Sequence, residues 1–172
     1  TSNSVGAGVR GATIAGGGAF PGLSDPDFDG EDRNHVADHY GSVGGGFANL
    51  AGQIDGDPNG EAFATVSGGK GNTASGSFGV VAGGRNNVAS GNSSAVSGGR
   101  DNVAGWDSAA VGGGEGNRAM GTKSFVGGGG SNTASGQWSH VGGGAANTAS
   151  GRNSTVSGGE VNCAGGGASW AG

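Results

Sequence analysis

Two short stretches carry residue types that could do chemistry. Asp25-Pro26-Asp27-Phe28-Asp29-Gly30 reads D-x-D-x-D-G, and Asp55-Gly56-Asp57-Pro58-Asn59-Gly60 reads D-x-D-x-N-G. Oxygen ligands at the first, third and fifth positions, with glycine at the sixth, are how a loop wraps a calcium ion. The glycine permits the sharp turn that brings the carboxylates onto one centre. Asp25, Asp27, Asp29, Asp55, Asp57 and Asn59 are therefore the candidate calcium ligands. The bidentate glutamate of a complete loop of this kind is missing, since Val36 and Val66 stand at its position. A solvated, turn-rich acidic insertion accounts for the same residues without a metal.

Other candidate chemistry is thinner. His35 and His39 flank Asp38 at a spacing that suits a metal on a helix, but on strands or turns that spacing loses its meaning. Gly6-Ala7-Gly8-Val9-Arg10-Gly11 matches G-x-G-x-x-G, yet the chain holds 46 glycines and no βαβ context follows. A glycosidase needs a close carboxylate pair, and the second half of the chain has only Asp101, Asp107, Glu115 and Glu160, widely spaced. The expectation is a protein that is not an enzyme. Cys163, the single cysteine, can form no internal disulfide and no structural zinc site, and it stands where other repeats have Thr or Val.

What must position these residues is a repeat. Valines stand at 66, 81, 96, 111, 126, 141 and 156, each followed two residues on by Gly-Gly, six on by Asn and eight on by Ala. The unit reads S-x-V-x-G-G-x-x-N-x-A-x-G-x-x and occupies residues 66–172. Residues 1–65 carry the same unit loosened by two acidic insertions, at about 19–32 and 54–61. Val43-Gly44-Gly45-Gly46-Phe47-Ala48-Asn49-Leu50-Ala51 matches it, Ile14-Ala15-Gly16-Gly17 matches once more, and Asn34 stands at the asparagine position before Val43.

Glycine and proline together make 49 of 172 residues, a level that without a period would indicate disorder. The period reverses that inference, because like residues at like positions can stack and share a core. Proline is scarce and the period is not three, so collagen is excluded. The net charge of -5 argues against binding a phosphate backbone. No apolar run approaches the ~20 residues of a membrane helix, so no membrane insertion is expected in this segment.

Alternation sets the local structure. Ser94, Val96 and Gly98 share one parity and Asn102 and Ala104 another, so each repeat offers two short strands with glycine turns between them. Two or three glycines per repeat, at about 1 kcal/mol each in a helix, exclude helices. Stacking the repeats gives an all-β fold: a parallel β-solenoid of about ten 15-residue coils, a rod about 48 Å long at ~4.8 Å per coil. Val, Ala, Ser and Asn point inward. The stacked asparagines either form an amide ladder along the axis or merely tolerate a left-handed turn. Outward, one strand shows the column Thr73, Val88, Val103, Thr133 and Thr148, a surface suited to self-association, because so thin a core is marginal alone. The other strand and its turn carry Phe78, Trp106, Phe125, Trp138, His140 and Trp170.

The half-repeats Ser94-Ala95-Val96-Ser97-Gly98 and Ser139-His140-Val141-Gly142-Gly143, with the Asn-x-Ala-x-Gly halves between them, resemble the head repeats of trimeric autotransporter adhesins of the YadA-like kind. Related Gly-Gly-x-x-Asn-x-Ala repeats resemble those of bacterial and phage fibre proteins. The resemblance covers the chain well from about Val43 onward. It implies a left-handed parallel β-roll that forms homotrimers, lies outside the cell on a surface or fibre, and binds host matrix, cell-surface or polysaccharide ligands. This chain departs from that pattern in its extra Gly, its Asn, its acidic insertions and the lack of a neck or stalk within it. The expected function is a structural and adhesive module of a surface fibre. An ice-binding solenoid with a Thr-rich face, or a fibre segment binding polysaccharide, is the alternative.

Overall fold

A computed structural model describes residues 3–17, 33–54 and 63–171. The chain is all-β and winds as a β-solenoid of about nine turns. Among the described residues there are two parallel ten-stranded sheets built from two-residue strands. The first begins with Ser4–Val5, His35–Val36, Leu50–Ala51 and Thr73–Ala74 and ends with Cys163–Ala164; the second runs from Thr13–Ile14, Ser42–Val43 and Thr65–Val66 to Trp170–Ala171.

Register follows the repeat. Val66 pairs with Val81, Val96 with Val111 and Val141 with Val156, while Ala74 pairs with Ala89 and Ala104 with Ala119. The two insertions do not disturb it: Ile14 pairs with Val43, and Val43 with Val66. A one-residue slip would turn every buried side chain out.

The core is as thin as its composition requires. Val43, Val66, Val81, Val96, Val111, Val126, Val141 and Val156 of the second sheet meet Val36 and the alanines of the first, all fully or almost fully buried. Ser94, Ser124, Ser139 and Ser154 are buried with them, and so are Asn34, Asn49, Asn72, Asn87, Asn102, Asn117, Asn132 and Asn147.

These asparagines settle the choice left open by the sequence. None has a positive φ, so the left-handed turn does not explain them. They form a ladder, but one that chiefly ties backbone. The Asn117 side-chain amide donates to the Gly113 carbonyl of its own turn and the Gly129 carbonyl of the next, both at 2.9 Å. Its Oδ1 accepts from the Asn132 backbone N–H at 3.0 Å and the Asn132 amide at 3.1 Å. Direct amide-to-amide contacts recur at some steps only; the N–H-to-Oδ1 bond recurs at every one. The ladder starts at Asn3 and crosses both insertions, from Asn3 to Asn34 at 3.3 Å and from Asn49 to Asn72 at 3.0 Å.

The glycine pair requires a correction. Gly98 and its equivalents were expected to point inward with valine, yet a Cβ added at Gly113 would meet nothing within 4 Å. The packed member is the second glycine. A Cβ at Gly114, where φ is +86°, would collide with the Gly129 carbonyl oxygen and approach the Asn117 amide. The coil bends there because only a backbone without Cβ lets successive turns stack so closely.

A third line of contact completes each turn. Phe47, Lys70, Arg85, Arg100, Glu115, Gly130, Ala145 and Glu160 form successive parallel bridges.

Candidate functional site

The sequence-predicted calcium ligands Asp25, Asp27, Asp29, Asp55, Asp57 and Asn59 lie outside the described residues. Among the described residues no group of three or more His, Cys, Asp or Glu side chains converges to hold a metal ion. His35, Asp38 and His39 diverge. His35 lies on the outer surface of the first sheet with Nδ1 2.6 Å from the Ser4 hydroxyl. Asp38 turns inward and accepts the Gln53 N–H at 2.8 Å, and His39 Nδ1 accepts the Arg10 N–H at 3.1 Å. Burial, and then the nearby Arg33 charge, hold the His35 pKa below 6.5.

The outer column of the first sheet is the smooth one. His35, Leu50, Thr73, Val88, Val103, Arg118, Thr133, Thr148 and Cys163 follow one another in register. All are half-buried except Arg118 and Cys163, which are exposed, the cysteine as a free thiol.

The aromatic residues fall into separate columns rather than one rim. Tyr40, Phe63, Phe78 and Trp138 occupy a turn position with φ between +56° and +66°, which Ser93, Ser108, Lys123, Asn153 and Ala168 fill in other turns. A positive φ in a bulky residue is uncommon and strained. Tyr40 stacks on Phe63 at 4.9 Å and Phe63 on Phe78 at 5.1 Å. Phe125 and His140 instead stand on the outer surface of the second sheet, stacked at 5.3 Å. Trp106 replaces a corner glycine and is exposed.

Charge is segregated along the chain. All eight basic residues lie among the described residues, against five acidic ones (Asp38, Asp101, Asp107, Glu115 and Glu160), so these turns carry a formal +3. The remaining eight acidic residues sit in and beside the two insertions and take the whole chain to -5. The net value therefore says little about the solenoid surface, and the argument it supplies against a phosphate backbone weighs less there. Arg100 is paired with Glu115 and lies 3.6 Å from Asp101, and Lys70 sits over the Phe47 ring at 4.9 Å.

A parallel β-solenoid with a flat small-residue face and scattered aromatic columns is the class that fold and surface define. No protein-family model and no curated protein matches the chain.

Proposed function

We propose that the chain is a structural and adhesive module of an extracellular surface fibre, in which copies associate side by side as a homotrimer. The observation that carries this reading is the outer column of the first sheet. Thr73, Val88, Val103, Thr133 and Thr148, with Arg118 between Val103 and Thr133, form an in-register strip of mostly small, β-prone side chains, the surface that a rod with a thin Val/Ala core would cover to gain stability. The likeness of its half-repeats to trimeric adhesin heads supports the same arrangement, with a left-handed roll of 15-residue coils. The structural positions of the repeat leave the outward residues free to bind a ligand, and no catalytic role is assigned to any of them.

Light scattering after size exclusion tests the assembly. Three times the chain mass of 16.0 kDa is expected, and Val88→Asp, which places a carboxylate between the small Thr73 and Val103, should return the protein to a folded monomer. A monomeric parent chain overturns the proposal.

A further inference from the structure

The outer column of the second sheet runs Thr65, Val80, Ala95, Ala110, Phe125, His140, Thr155 in register. Phe125 stacks on His140 with 24° between the rings, so its plane lies across the solenoid axis. Its other face is turned toward Ala110 and Ala95, whose methyl groups leave a step in the surface. Phe125 remains 40% exposed. Two residues before Phe125 and His140 stand Lys123 and Trp138, both exposed at the turn. The Arg152 guanidinium lies 4.7 Å from the Trp138 ring centre and the Lys123 ammonium 6.0 Å from it.

Neither cation has an acidic partner among the described residues; the ion pairs there belong to Arg100. The carboxylate of Asp107, one turn back, is turned aside to accept the Asn92 N–H at 3.2 Å.

We infer that Lys123, Phe125, Trp138, His140 and Arg152 form a binding site for a carboxylate-bearing sugar residue of a glycan. A pyranose ring presents a face of C–H bonds, which the exposed part of the Phe125 ring matches, and a ring carboxylate would sit beside cations that have no acidic partner among the described residues. Its contact with the Trp138 ring restrains the Arg152 guanidinium, so less freedom is lost on binding. A second copy of the chain would bring like charges together here. Two cations are too few for the string of phosphate contacts on which nucleic-acid binding depends. The inference rests on the adhesive reading above and names its ligand class.

The test titrates an oligogalacturonate into the full chain at low salt by calorimetry, with an uncharged malto-oligosaccharide of equal length as comparison. Saturable binding of the uronate is expected, about tenfold tighter than the neutral oligomer. Phe125→Ala, and separately Lys123→Gln with Arg152→Gln, should each weaken it about tenfold, the latter also removing its salt dependence. Circular dichroism checks that these exposed changes leave the fold intact. Absence of saturable binding, affinity unmoved in both variants, or equal affinity for an oligothymidylate, which would mean polyanion attraction alone, each overturns the inference. A trimer that binds no uronate removes this site and leaves the fibre reading standing. A monomer that binds it does the reverse.

Discussion

Asn117→Ala is expected to destabilise the solenoid by about 3–5 kcal/mol. The change removes a donor from the Gly113 and Gly129 carbonyls and an acceptor from the buried Asn132 N–H. The Gly129 carbonyl keeps the Glu115 N–H at 2.9 Å, so two groups are stranded, at about 1–3 kcal/mol each for a buried polar group without its partner. Asn162 provides the internal control. It donates to Gly158 at 2.8 Å, its carbonyl oxygen accepts nothing from a further repeat, and it is only half-buried. Asn162→Ala should then cost about 1 kcal/mol, the net worth of one ordinary hydrogen bond. For a chain of this size the difference corresponds to a Tm gap of about 10 °C if unfolding is concerted. Because a stack of repeats can open locally, hydrogen exchange is the sharper assay: the Asn132 amide should lose its protection in Asn117→Ala and keep it in Asn162→Ala. Equal cost at the two positions, or a protected Asn132 amide, would refute the claim that the ladder ties one turn to the next.

The other expectations are briefer. Val111→Asp places an unpaired carboxylate among buried Val and Ala and should cost about 4 kcal/mol or more, whereas Trp138→Ala, on the surface, should cost under about 1 kcal/mol; similar denaturation midpoints would mean the inward and outward parities are wrong. Gly114→Ala should destabilise by more than Gly113→Ala, since a collision with the neighbouring turn awaits only the former, and the reverse order in thermal melts would contradict the assigned bend. His35 is held below its ordinary pKa of 6.5, so the neutral ring is favoured by folding. Its contribution to stability is complete above pH 6.5 and is lost as pH falls from there to the lower folded-state value; His35→Gln should flatten the fall in Tm between pH 7.5 and 5, and an unaltered profile would exclude it. If Asp25, Asp27, Asp29, Asp55, Asp57 and Asn59 hold calcium, millimolar calcium raises Tm and a chelator reverses it, while a melt indifferent to both removes the metal.

The sequence told most about what stacking dictates. The recurrence of Val66, Val81 and Val96 foretold both the buried column and the strand register. Even the pairing of Ile14 with Val43 and of Val43 with Val66, across insertions of different length, could be read from the matching Gly pairs. What could not be read is whatever the backbone does without side-chain preference. The bridge line through Phe47, Lys70, Arg85, Arg100 and Glu115 has no residue type common to all its positions, because its bridges are made by main-chain groups. The same is true of the left-handed turn column, filled by Tyr40, Phe78, Ser93, Lys123 and Trp138 alike. Asn3 was missed as the first rung of the ladder because valine replaces the alanine two residues on. The charge segregation was present in the sequence throughout but hidden inside a single net value.

These two kinds of position direct the search for function away from the most conspicuous feature of the surface. Tyr40, Phe63 and Phe78 each hold a bulky side chain at positive φ, a conformation that costs roughly 1–2 kcal/mol. Face-to-face stacking at 4.9 and 5.1 Å returns about 0.5–1.5 kcal/mol per pair. The rings cover one another's facing sides, so mutual packing explains much of their presence. Trp138 is similar, its strain opposed by the cations stacked on it. Phe125 differs on both counts. Its backbone is unstrained, and its neighbour in the preceding turn is the small Ala110, so the ring remains partly exposed. A partly exposed ring two residues from Lys123, near cations that have no acidic partner among the described residues, stabilises little within the chain that a threonine in the same column would not, and that is why Phe125 marks where this solenoid would hold a ligand.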